Sequence, residues 1–182
     1  QTLEIVKVLY RGANILILSD RGINSRMAAI PALLATAALH HFLIRKTVRS
    51  DVGLILESGE PREIHHFCTL VGYGITAVNP YVALESIKEL AAKKKLGKIS
   101  CEEARENYIR AAVNGMLAVM SKMGISTIHS YHGAQIFEAV GISRDLIQKY
   151  FVNTPSPIGG IGLTEIAREN ALRHEAAFSG SD

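Results

Sequence analysis

Four short polar stretches hold most of the side chains in this sequence that could do chemistry. Ser19-Asp20-Arg21-Gly22-Ile23-Asn24, Glu57-Ser58-Gly59-Glu60, Asn79-Pro80-Tyr81 and Ser130-Tyr131-His132-Gly133 each follow a short apolar run. Asp20, Glu57 and Glu60 are the acid and base candidates, because paired carboxylates do general acid–base work when they approach each other in a cleft. Arg21 can instead partner one of them, and an adjacent Asp–Arg pair is more often a device that fixes a loop. Ser, Asp, Asn and Gly after strands are also the ordinary vocabulary of turns and N-caps. Two readings therefore stand: capped loops, or a polar cavity or channel lined by Ser19, Asp20, Arg21, Glu57, Glu60, Asn79, Ser130 and Tyr131.

Other candidates carry less. His40-His41 and His65-His66 are adjacent pairs, and neighbours on a helix point about 100° apart, so neither pair is a natural chelate. The i, i+4 spacing of two-histidine zinc helices does not occur. One member of each pair is expected to pack inward with a hydrogen bond, and no metal site is expected. Cys68 and Cys101 are the only cysteines, too few for a disulfide framework or a cluster. Gly159-Gly160-Ile161-Gly162 opens a helix, and backbone N–H groups at such a place can bind phosphate. No lysine follows the glycines and no expected strand precedes them, so a tight connector is the plainer reading. There is no Gly-x-Ser-x-Gly elbow.

The elements that must position these residues alternate. Ile15–Leu18, Val52–Leu56, Ile75–Val78 and Ile125–His129 read as short strands, and continuous apolar runs of this kind suit strands buried on both faces of a parallel sheet. Helices are expected from Pro31 to about Val48, from Pro61 to Gly72 or Gly74, and from an Asn79 cap with Pro80 to Gly97. A capping box at Ser100 and Glu103 opens another, to Lys122. Shorter helices are expected over Gly133–Val140 and Ser143–Tyr150, then a loop over Asn153–Gly162 and a last helix over Thr164–Phe178. This order predicts an α/β fold: a mainly parallel sheet of about four strands with flanking helices, as an open sheet or an incomplete barrel. In such folds ligands gather at the carboxyl ends of the strands.

Composition limits the function classes. Of 182 residues, 48% are apolar and 20% charged, with a formal net charge of +3. That balance is globular, and the charge is too small and too scattered to argue for nucleic acid. The apolar stretch Ile30–Ile44 is too short and too polar to span a bilayer. A cytoplasmic protein with reduced thiols is the expectation. Leu3–Leu9 reads as the end of a helix and Ser179-Gly180-Ser181-Asp182 as a linker, so both ends are expected to be cuts within a longer protein.

Taken together, the segments resemble one family. Ile15-Leu-Ile-Leu-Ser-Asp-Arg-Gly22, Ile30-Pro-Ala-Leu-Leu34 with His40-His41, Val52-Gly-Leu-Ile-Leu-Glu57, Glu63-Ile-His-His66, Gly72-Tyr-Gly74, Ala77-Val-Asn-Pro-Tyr81, Met120-Ser-Lys-Met-Gly-Ile-Ser-Thr127, Gly133-Ala-Gln-Ile-Phe-Glu-Ala-Val-Gly141 and Ile158-Gly-Gly-Ile-Gly-Leu163 are similar, in order, to the latter part of the central domain of the glutamate synthase large subunit. The resemblance implies one α/β fragment over residues 1–182, with 179–182 a tail, set between a glutaminase domain and an FMN-binding domain. It implies FMN and an iron–sulfur cluster for the whole enzyme, which makes glutamate from glutamine and 2-oxoglutarate, and none in this segment. The segment would join the two catalytic domains and help wall an internal ammonia tunnel, with no catalytic, cofactor or metal residue of its own. The alternatives are a free-standing phosphate- or flavin-binding protein using the strand-end loops and Gly159–Gly162, and a homo-oligomerising scaffold.

Overall fold

A computed structural model describes residues 12–179. The helix expected over Leu3–Leu9 and the last three residues of the expected linker lie outside that range.

The first unit is a parallel three-stranded sheet in the order β1 (Ile15–Ser19), β2 (Gly53–Glu57), β3 (Ala77–Asn79). Helix α1 (Ala32–Arg45) connects β1 to β2, and α2 (Ile64–Gly72) connects β2 to β3. Side chains alternate between the faces of a strand, and the register Leu16↔Leu54 and Leu18↔Leu56↔Val78 lines up one apolar face. That face packs against Leu39 and Leu43 of α1 and Leu70 of α2, with Leu54 and Leu43 fully buried. Burying each such leucine contributes about 1.5–3 kcal/mol. The opposite face carries Ile15, Ile17, Ile55 and Ala77, and among the described residues it is left open: Ile17 is 63% exposed.

The helices stop where the backbone forces them to. α1 ends at Arg45, three residues short of the expected Val48: Lys46 caps it and Thr47 turns left-handed (φ 59°). Helix α3 (Tyr81–Ala92) ends before the lysine run, where Lys94 turns left-handed (φ 55°) rather than at Gly97. Helix α4 (Cys101–Lys122) starts at Ser100, whose Oγ accepts from the Glu103 N–H at 3.1 Å. It packs on α2 and α3.

The expected fourth strand is not there. Thr127 caps a one-turn helix, α5 (Ile128–Tyr131), its hydroxyl accepting from the Ser130 N–H. The Tyr131 side chain enters a second small core with Cys68 and Met120. The helix expected over Gly133–Val140 is also absent: Gln135 is left-handed (φ 56°), the Ala139 N–H donates to the Pro155 carbonyl, and β4 (Val140–Ile142) begins there. β4 pairs in parallel with β5 (Ile158–Ile161), part of the stretch expected to be a loop. A side chain at Gly160 would put its Cβ 2.2 Å from the Gly141 carbonyl oxygen, so this pairing needs glycine. Helix α6 (Arg144–Tyr150) links the two strands and packs on α1, and α7 (Leu163–Phe178) follows β5. The fold is thus α/β with parallel strands, as three plus two rather than four in one sheet, and neither sheet closes into a barrel.

Candidate functional site

The carboxyl ends of β1, β2 and β3 converge on one carboxylate. Register places Ser19, Glu57 and Asn79 side by side on the open face. Glu57 Oε2 accepts from the Ser19 hydroxyl at 2.7 Å, and Oε1 accepts from Arg21 Nε at 2.7 Å and from the Asn79 side-chain amide at 3.2 Å. The Arg21 guanidinium lies over the Tyr81 ring at 4.1 Å from its centroid, a favourable cation–π arrangement. The bond from Arg21, helped by those from Ser19 and Asn79, holds the Glu57 carboxyl below the usual carboxylate range. Asn79 thus serves Glu57 rather than capping α3, whose first turn follows Pro80 with no side-chain cap.

A second carboxylate ties the same loops from the other side. Asp20 accepts from the Ser58 hydroxyl at 2.6 Å and from the Gly59 N–H at 3.0 Å. Burial, with Asp20 alongside, pushes the Tyr81 phenol up to about 12. Ser58 Oγ in turn accepts from the Glu60 N–H, and Glu60 reaches across to accept from the Ala32 N–H at 2.9 Å, capping α1. Each carboxylate is therefore engaged by donors from another segment. Bonds of this kind between segments fix loops, whereas a general base needs a lone pair aimed at a substrate proton.

Of the eight residues singled out, six meet in this network: Ser19, Asp20, Arg21, Glu57, Glu60 and Asn79. Ser130 and Tyr131 do not. Their neighbours His129 and His132 line a cavity with Asn14, Ile15 and Gly53, at the amino ends of the strands. Tyr131 is fully buried beside the Cys68 thiol, and burial raises the pKa of both groups.

A second polar cluster was not legible from spacing. Arg49 donates to His40 Nδ1 at 3.0 Å and to the carbonyls of Val52 and Gly74 at 2.6 and 2.5 Å. Burial, with the Arg49 charge beside it, brings the His40 pKa down to about 4. Gly74 (φ 97°) lies so close that a Cβ there would sit 2.2 Å from the His40 ring nitrogen. His40 is thus the inward-packed, hydrogen-bonded member of its pair, and the strut ties α1, β2 and the end of α2 together.

Cofactor chemistry finds little to work with. The described residues contain no cluster of three or more His, Cys, Asp or Glu that could hold a metal. Cys68 is buried against Tyr131 and Met120 while Cys101 begins α4, so the donor set does not fit an iron–sulfur cluster. The glycine-rich stretch does not fit a phosphate cradle either: most of it is β5, and the Gly162 N–H at the start of α7 already donates to Glu165 Oε2 at 2.8 Å. Among the described residues no helix is long and apolar enough to cross a membrane.

The chain is similar to known proteins over most of its length. The chain is 52% identical over 172 residues to the glutamate synthase [NADPH] large chain of Bacillus subtilis, covering 94% of this chain and 11% of that protein. It is 44% identical over 168 residues to the glutamate synthase [NADH] of Schizosaccharomyces pombe (92% and 8%), and 41% identical over 179 residues to the ferredoxin-dependent glutamate synthase of Pyropia yezoensis (92% and 12%). The chain thus spans about a tenth of the length of these relatives. The model of the family described as glutamate synthase central domain matches residues 2–143, and the chain belongs to that family.

Proposed function

We propose that this segment is the non-catalytic connector of a glutamate synthase that makes glutamate from glutamine and 2-oxoglutarate, working in the cytoplasm. It holds a glutaminase domain and an FMN-binding domain of the same polypeptide or complex in register, and its strand-end loops border the passage between them. FMN and the iron–sulfur cluster belong to the neighbouring domains. The observation that carries the reading is the state of the polar groups: the strand-end carboxylates Asp20, Glu57 and Glu60 each accept a hydrogen bond from another segment and so tie loops together. Ser19, Asp20, Arg21, Glu57, Glu60 and Asn79 set loop shape at that end. Ser130 and Tyr131 shape the opposite end, through the Thr127 cap and the second core.

The test is direct. The purified 182-residue chain is expected to be colourless and to form no glutamate from glutamine and 2-oxoglutarate with any electron donor. Stoichiometric flavin that co-purifies with it, or measurable turnover, would contradict the reading. The phosphate- or flavin-binding alternative has no supporting observation, since the N–H it would use at Gly162 is already bonded to Glu165.

A further inference from the structure

At the amino ends of the strands, away from the Glu57 network, lies an open cavity of about 890 Å³ that the connector role does not use. Its polar wall is basic and comes from separate segments: His40, Arg49, Thr76, His129 and His132. His40 is on α1, Arg49 opens a one-turn 3-10 helix before β2, Thr76 precedes β3, and His129 and His132 lie in and just after α5. Asp51 is the one acidic residue in the lining, and its carboxylate accepts from the Ser50 hydroxyl at 3.2 Å.

Arg49 is half-buried, and no ion pair among the described residues includes it. A charge withdrawn from water is normally paired. Its bonds go instead to uncharged acceptors, His40 Nδ1 and the carbonyls of Val52 and Gly74. A guanidinium carries about five N–H donors, so donors remain beyond these three bonds. Because Arg49 donates to Nδ1, the proton of the neutral His40 ring sits on Nε2, which is a further donor. His40 is only 9% exposed. His132 lies near the Ile75 carbonyl, yet its Nε2 is buried with no hydrogen-bond partner. Thr76 Oγ1 accepts from the Leu54 N–H, and its own proton is available. Burial first, and then the Arg49 charge, lowers the pKa of both His40 and His132. The unused groups are therefore donors, or in His132 a nitrogen that becomes one on protonation, around a positive charge that has no counter-ion.

We propose that this cavity binds a small oxyanion, a carboxylate or phosphate group, which accepts hydrogen bonds from Arg49 and His132 and so joins the entry to β2 with α5. One compact negative group with two or more acceptor oxygens matches the planar fork of a guanidinium and takes charge-assisted bonds from it. A metal cation does not fit, because the Arg49 charge repels it. The site is separate from Gly159–Gly162, none of which lines it.

Hydrogen exchange on the complete polypeptide that contains this segment tests it, read on the peptides around Arg49 and His132 in phosphate, in succinate and in chloride at equal ionic strength. A ligand that binds the closed form slows exchange through local opening, by about tenfold at ten times its dissociation constant. Phosphate or succinate is expected to slow both peptides in this way while chloride does not, and whichever anion acts identifies the class of oxyanion. His132→Phe is expected to abolish the effect. Thr76→Val, at an exposed position, is expected to weaken it about threefold or more without disturbing the fold. No slowing by either anion overturns the proposal, and so does equal slowing in wild type and both variants. A crystal structure of the complete polypeptide with one of its own carboxylate side chains seated on Arg49 also overturns it. Each of these results leaves the connector reading intact.

Discussion

Glu57 accepts hydrogen bonds from Ser19, Arg21 and Asn79, two of them on other strands and one on the loop after β1. Its folded pKa lies below the ordinary value of 4.5. Such a group stabilises the fold at neutral pH, and the contribution is lost as pH falls through the lowered value. His40 acts in a different window. Neutral in the fold down to about pH 4 against an ordinary 6.5, it leaves the unfolded chain binding more protons between those values, so stability falls as pH drops from 6.5 towards 4. Melting temperatures measured across pH 7 to 3 are expected to separate the two. Glu57→Gln flattens the decline below 4.5, and His40→Gln flattens part of the decline above it. Identical profiles for wild type and both variants would contradict these assignments.

At the scale of elements, the covered face of the sheet carries the stability. Leu54 is fully buried between β1, β3 and the helices, and Leu54→Ala is expected to cost about 2–5 kcal/mol by denaturant titration. Ile109, half exposed on α4, is expected to cost under about 1 kcal/mol when changed to alanine. Equal costs would place the core elsewhere. The same contrast explains what was legible. β1, β2 and β3 could be read because their apolar runs are continuous and end in polar residues at matching register, which is also why Ser19, Glu57 and Asn79 could be named as a group. Ile125–His129 imitates that pattern, but Thr127 bonds its own chain at Ser130 and starts a helical turn instead. β5 was hidden because Gly159 and Gly160 have no side chains to show a strand pattern. Arg49 and His40 meet through the fold alone, and no spacing rule announces their contact.

Over the whole molecule, two parallel sheets and seven helices among the described residues leave a broad apolar area uncovered and the strand-end carboxylates Asp20, Glu57 and Glu60 bonded between loops. These properties suit the proposed connector, in which bonds between loops fix loop geometry and an uncovered apolar face is available for contact. The most direct test compares two reactions of the complete enzyme, glutamate formed from glutamine and glutamate formed from added ammonia. With Arg21→Ala or Glu57→Gln, the ammonia-driven rate and glutamine hydrolysis are expected to stay within about twofold of wild type, while the glutamine-driven rate falls several-fold because the two sites are no longer held in register. Loss of ammonia-driven synthesis in a folded, flavin-loaded variant would mean that these residues take part in the chemistry, and would contradict the account.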